Sequence, residues 1–246
     1  MEELKNLKQD NFLWYNAYNS NDLPQLFDLY NIDLVGILSI WPETFSYVLS
    51  EIMALNIPIM CFNMGAQGER VAKYTAMIAK EMGYDEETVE KYYRIGLLHD
   101  VGKVGIPKAV LNKPGKLTDE EYDVIKEHTT KGHEVLKDIS AVPELAVGAL
   151  SHHERHDGKG YPNGLSGNDI PEVARIIAVA DSFDAMYSDR QYRKQMDFEK
   201  VLSIIREVSG TQLNPEVVDA FFRLVDKGEI RAVEARETAG NESLPD

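Results

Sequence analysis

The sequence predicts a mainly α-helical domain, a bundle of about seven helices, preceded by a small strand–helix–strand fragment. Three observations carry this. Apolar residues recur at helical spacing from Glu69 to Val225. Cap and stop residues stand where those periodic stretches begin and end. Strand-like runs rich in β-branched residues occur only before residue 66. The change of texture sets the boundaries: an α/β fragment over 1–66, a helical domain over 67–228 and a charged tail over 229–246.

In the fragment, residues 32–40 read as a buried strand and 57–62 as a second. Between them Thr44 can cap a helix whose Phe45, Val48, Leu49, Ile52 and Leu55 share one face. Such a βαβ unit has a right-handed crossover and cannot cover both faces of its own sheet. It is therefore expected to pack on the following helices, to form a homodimer, or to be poorly ordered.

The first helix of the domain carries Val71, Tyr74, Thr75, Ile78 and Met82, with Gly83 as its stop. Asp85 can cap the second, which runs through Val89, Tyr92 and Ile95 into His99-Asp100. Residues 101–116 are rich in Gly, Pro and Lys and read as loop with short turns. Thr118 and Glu121 form a capping box, with Leu117 and Tyr122 as its hydrophobic staple, and start a helix that carries His128. Pro143 suits the first turn of a helix ending near His152-His153, and 155–171 is a loop. Asp169 and Pro171 open a helix through Ile176, Ile177, Ala180 and Phe183. Asp197 opens the next, closed by Gly210, and Asn214-Pro215 opens the last.

Bulk composition narrows the function. A formal net charge of −15 over 246 residues argues against a nucleic-acid polymer or an anionic membrane surface as partner. Cys61 is the single cysteine, so no internal disulfide is available. No apolar run has the length of a membrane span and the N-terminal stretch lacks a signal-peptide core, so a cytoplasmic protein is expected.

Metal-type ligands fall in a series: His99-Asp100, His128, His152-His153 and Asp181. Imidazole suits transition metals, and a carboxylate is a hard ligand that can bridge two cations. Asp181 lies in the most apolar helical pattern of the domain, where an unpaired carboxylate is expensive. It needs a cation, whether a metal or the side chain of Arg175 or Arg190.

The motifs HDVGKVGIP (99–107), LNKPGKLT (111–118), HHERHDGKGYP (152–162) and ADSFDAMYSDRQYR (180–193) are together similar to the pattern of HD-GYP domains. These are a branch of the HD metal-dependent phosphohydrolases. The resemblance covers residues 67–228 and implies hydrolysis of cyclic di-GMP, or a related cyclic dinucleotide, to linear pGpG or GMP. It implies two divalent metal ions, iron or manganese, with a metal-bridging hydroxide as nucleophile. Carried over, Asp100 bridges the ions, His128, His152 and His153 hold one, and His99 and Asp181 hold the other. Lys103 faces the scissile phosphate as a catalytic residue. Arg190 and Arg193 bind substrate phosphates, and Tyr161 and Pro162 belong to the loop beside the pocket. Tyr161 there can stack on a guanine, or the loop can dock diguanylate cyclase domains. Glu154, Asp157 and Arg175 are expected to orient the histidines and the loop.

Two positions depart from that pattern. Gln67 stands where the family has a His, and Asn63 where its three-metal members have a Glu. A weakened second metal position and no third metal are expected. Two readings follow: a working phosphodiesterase, or a weakened module that binds a nucleotide or partner. Residues 39–71 in addition look like the nucleotide-sugar-binding half of GT-B glycosyltransferases, Glu43 and Glu51 matching that family's E-x7-E pair. That likeness covers about residues 22–70, leaves out the acceptor domain, and implies a truncated fragment.

Overall fold

The computed structural model describes residues 67–230 apart from 138, 140, 141 and 189–193, together with the backbone of 7–9, 12–14, 35–39, 59–63 and 65–66. By packing, the chain divides into two units, 1–66 with 139–143, and 67–138 with 144–246.

In the first unit, β1 (Leu7–Gln9) and β2 (Phe12–Trp14) pair antiparallel, Leu7 opposite Trp14. This hairpin was not expected; Asp10-Asn11 between the strands is a polar turn signal of the kind that closes hairpins. β3 (Val35–Ser39) and β4 (Ile59–Asn63) pair parallel, Val35 opposite Ile59 and Ile37 opposite Cys61. Parallel neighbours need a crossover between them. The helix expected over 44–55, with Glu43 and Glu51, lies outside the described residues, as does the tail from 231.

The second unit is helical. The described helices are α1 (Gly65–Glu81), whose residues from Gln67 on belong to this unit, α2 (Glu86–Leu98), α3 (Lys108–Leu111), α4 (Asp119–Leu136), α5 (Glu144–Ser151), α6 (Glu172–Tyr187), α7 (Phe198–Glu207) and α8 (Pro215–Asp226). The helix beyond the expected seven is the single turn α3, inside the stretch read as loop, which also holds a 3-10 turn at Val101–Gly105. Local chemistry explains most of the ends. Gly83 leaves α1 at φ +93°, a conformation glycine adopts without strain. Asp85 accepts from Thr88 N at 2.8 Å and starts α2. Thr118 and Glu121 close their reciprocal box at 3.3 and 2.7 Å. Asp197 and Asn214 cap α7 and α8. One cap differs: Asp169 lies in a 3-10 turn, Gly167–Asp169, and α6 begins after Pro171.

The core centres on α6. Ile176, Ile177, Val179, Ala180 and Phe183 are wholly buried. A helix apolar around most of its girth belongs in the middle of a bundle. Phe183 meets Tyr74 of α1 edge-on at 5.1 Å and Phe221 of α8 at the same centroid distance. Each such side chain contributes about 1.5–3 kcal/mol by burial.

Two glycines set the approach that the site depends on. A Cβ on Gly102 would lie 1.9 Å from His128 O and 2.4 Å from Gly132 N. Bare backbone at Gly102 and Gly132 thus lets the His99-Asp100 segment press directly on the helix that carries His128. Gly148 of α5 likewise leaves room for Ile95, whose Cγ2 would be 2.2 Å from an added Cβ. Gly102→Ala is expected to force these segments apart and cost about 1–3 kcal/mol or more, the scale of overpacking a tight core. Urea unfolding checks this, and a midpoint equal to the parent's would refute the close-packing account.

Candidate metal centre

Four ligand-type residues from three places in the chain converge. Asp100 follows α2, His128 lies within α4, and His152 and His153 follow α5. One ligand atom from each lies within 4.8 Å of all the others. That span is about twice a metal–ligand bond of ~2.1 Å.

The carboxylate of Asp100 faces two ways. Its Oδ1 lies 3.4 Å from His128 Nε2 and 3.8 Å from His152 Nε2. Its Oδ2 lies 3.2 Å from His99 Nε2 and 2.5 Å from Lys103 Nζ. His99 Nε2 in turn lies 3.9 Å from Asp181 Oδ1. The two oxygens therefore address two ligand groups, one of histidines and one of His99 with Asp181.

Backbone carbonyls fix the imidazoles. His99 Nδ1 meets Gly96 O at 2.6 Å, His128 Nδ1 meets Ile125 O at 2.6 Å, and His152 Nδ1 meets Ala149 O at 2.9 Å. Each partner stands three residues back in or beside a helix, so helical geometry supplies it. A carbonyl only accepts, so Nδ1 carries the proton and Nε2 presents its lone pair. All three Nε2 atoms are the ones turned to Asp100.

Electrostatics agrees with a ligand role. Burial, reinforced by neighbouring imidazoles, holds His152 and His153 well below the ordinary histidine range, and burial lowers His128 too. They stand neutral, as ligands must. Burial opposes charge on His99, but Asp100 and Asp181 outweigh it and raise that imidazole. Burial works against the Asp100 anion as well, yet His99 and Lys103 keep it well below the usual carboxylate range. His99 Nε2 and Asp100 Oδ1 are buried with no hydrogen-bond partner among the described residues. Buried acceptors left unpaired cost about 1–3 kcal/mol each. A cation satisfies both, so the residues fit a metal.

A model of the HD domain family matches residues 48–217. The chain belongs to that family. Over 198 residues it is 42% identical to a cyclic di-GMP phosphodiesterase of Thermotoga maritima, a match covering 79% of this chain and 53% of that protein. Over 158 residues it is 40% identical to a 3'3'-cGAMP-specific phosphodiesterase of Vibrio cholerae, covering 64% of this chain and 34% of that one. Among solved structures, an HDGYP protein from Bdellovibrio bacteriovorus shares the fold at a TM-score of 0.55 and 18% identity, covering 75% of this chain and 59% of that one. The chain spans about half the length, or less, of these curated relatives.

In this HD domain, Gln67 occupies the edge of the second ligand group. Its Nε2 donates to Asp181 Oδ1 at 3.3 Å. One turn on, Arg70 Nε is 2.5 Å from Asp184 Oδ1, and Asp184 is 1% exposed. Asp184 also accepts from Ser188 Oγ at 2.8 Å. This second pair, absent from the sequence reading, ties α1 to α6 in register with the first. Asp181 thus turns to Gln67 and His99, while Arg175 donates to Asn168 Oδ1 at 2.9 Å and approaches Glu172.

The 152–167 loop meets the cluster through Tyr161. Buried Glu154 accepts from Asn163 N at 2.7 Å and Leu165 N at 3.0 Å, a clamp on the segment that carries Tyr161 and Pro162. A Cβ on Gly160 would lie 2.4 Å from Arg155 N and 2.6 Å from His153 O, so only glycine lets the loop fold back this far. Tyr161 packs on His153 with ring centroids 4.9 Å apart. Burial, then Tyr122, Asp100 and Asp181, push its phenol well up. Asp157 holds Arg155 at 2.8 Å and accepts from Lys159 N at 3.1 Å, which stiffens the same loop. Asp157 and Arg175 therefore act on loop segments and not on an imidazole. Arg190 and Arg193 lie outside the described residues, as does the side chain of Asn63.

Elemental analysis of protein purified without oxygen checks the ligand assignment. Asp100→Ala is expected to lose bound divalent metal altogether. Gln67→His is expected to tighten the weaker position by ~100-fold or more, since loss of a direct ligand exceeds the 10–100-fold of an outer partner. Metal retained by Asp100→Ala would sink the assignment.

Proposed function

We propose that this HD domain is a metal-dependent phosphodiesterase that hydrolyses cyclic di-GMP, or a related cyclic dinucleotide, to the linear dinucleotide or the mononucleotide. The observation that carries the reading is the divided carboxylate of Asp100, with histidine Nε2 atoms on both of its oxygens. The relatives named as cyclic di-GMP and cGAMP phosphodiesterases support the substrate class. We assign two divalent ions, iron or manganese: one to His128, His152 and His153, the other to His99 and Asp181, with Asp100 shared. When bound, such ions lower the pKa of a water nucleophile and polarise the phosphoryl oxygens.

The chain's own residues do the rest. Hydrolysis adds one water across a P–O bond: oxygen joins phosphorus, the ribose oxygen leaves, and that oxygen takes a proton. Lys103 lies against Asp100 with its ammonium part-exposed. It can offset charge developing on the phosphate or help protonate the leaving oxygen. Neutral His128, His152 and His153 keep their lone pairs for ligation at neutral pH. The loop held by Glu154 packs Tyr161 against His153. Arg190 and Arg193 are assigned to the second phosphate, for which guanidinium forks are suited. The same loop is the surface proposed for diguanylate cyclase domains. No described helix is long and apolar enough to cross a membrane, and we place the protein in the cytoplasm, where such a messenger is made.

Gln67 favours a second reading, a domain that binds the nucleotide but turns it over weakly. An amide donating to Asp181 occupies that carboxylate without offering a strong ligand in return. Chromatographic assay of cyclic di-GMP with manganese- or iron-loaded protein separates the two. Turnover lost in both Asp100→Ala and Lys103→Ala is the expected result for the enzyme. Tight binding of cyclic di-GMP with no product would establish the binding module instead.

A further inference from the structure

Tyr122 stands at the staple position of the α4 capping box. It is 48% exposed, one of the few large apolar or aromatic side chains among the described residues to stand so open. It lies in the first turn of α4, six residues before His128. Its ring meets that of Tyr161 at right angles, with centroids 6.5 Å apart. Tyr161 in turn packs on the metal-cluster residue His153 at 4.9 Å. Lys126 sets its ammonium 5.2 Å from the Tyr122 centroid. The three rings form a ladder from the cluster to solvent, with Tyr122 as the outermost rung.

The inner rungs are spoken for. Tyr161 is packed on the imidazole and held by the clamped loop, so its ring face is engaged. Among the described residues of this ladder, Tyr122 is the ring most open to an incoming molecule, with Lys126 beside it. The ladder begins at His153, one of the residues of the cluster to which the phosphate is assigned, and a base attached to that phosphate can extend along it toward the outer ring. Every base has a π-face, and an aromatic platform takes it with little regard to its identity.

We infer that Tyr122 is the base-stacking residue of this site, positioned by Tyr161, for the nucleobase attached to the phosphate under attack. The inference rests on the cyclic-dinucleotide reading above. It also says where substrate affinity comes from: a stack that serves guanine and adenine alike, leaving choice between them to other contacts.

The test compares wild type, Tyr122→Ala and Tyr122→Phe, all manganese-loaded, in turnover of cyclic di-GMP and cyclic di-AMP and in equilibrium binding of both. Tyr122→Ala is expected to raise KM and Kd by roughly 5- to 150-fold, the size of one base–aromatic stack, with a smaller change in kcat. Tyr122→Phe keeps the ring and is expected to recover most of the loss. A merely structural role would lower metal content and kcat together and would not split KM from kcat. Wild type that binds or cleaves while Tyr122→Ala matches it within twofold overturns the stacking inference and leaves the function standing. A loss that Tyr122→Phe does not recover assigns the contact to the hydroxyl and overturns stacking too. Wild type that neither binds nor cleaves either nucleotide overturns the inference together with the reading beneath it.

Discussion

The carboxylate of Asp100 is the constraint around which this domain is built. It is largely enclosed and carries charge where charge is expensive, unless cations or donors surround it. Three histidines and Lys103 surround it, and each arrives by a different element. That demand explains otherwise unrelated features of the sequence. Gly102 and Gly132 are bare so that the Asp100 segment can reach the His128 helix. The three imidazoles sit where a carbonyl three residues back can take the Nδ1 proton. Glu154 is buried to hold the loop whose Tyr161 packs on His153. An arrangement with so many unpaired lone pairs turned inward makes physical sense only as a receptor for cations.

Much of the fold was legible because it depends on local chemistry. Asp85, the Thr118–Glu121 box, Asp197 and Asn214-Pro215 announce helix starts by bonds made within three residues. The apolar period of α6 predicts its central place. The candidate ligands could be picked out because His and Asp at motif spacing have few other uses together. What the sequence withheld is relational. No local pattern says that the two oxygens of Asp100 serve different partners. Nothing in the first turn of α4 announces that the ring of Tyr122 meets that of Tyr161 from a distant loop. The clamp made by Glu154 falls between: its role was expected, but its partners are backbone amides that carry no residue signature. The short helix α3 was hidden by the Gly, Pro and Lys around it.

Arg70 and Asp184 show how a buried pair can be the least visible part of a site. Either residue alone reads as one more charge on a helix. Together they lock α1 to α6 at a point where Asp184 has almost no access to water. Removing one partner from such a pair costs about 3–5 kcal/mol, because the other is left charged and buried. The pair therefore specifies a register and does so strongly.

That register decides how the departure at Gln67 should be understood. Gln67 and Arg70 are one helical turn apart, as are Asp181 and Asp184, and the two contacts run side by side between the same helices. A displacement of α1 would break the buried pair together with the part-buried amide contact. The pair does not break, so residue 67 is delivered to Asp181 and stands where a ligand would be useful. What residue 67 alters at this place is the chemistry on offer and not the placement. An amide nitrogen donates to the carboxylate, where an imidazole could instead present a lone pair to a cation. The helix holds there a neutral amide, a weaker ligand than imidazole for transition metals.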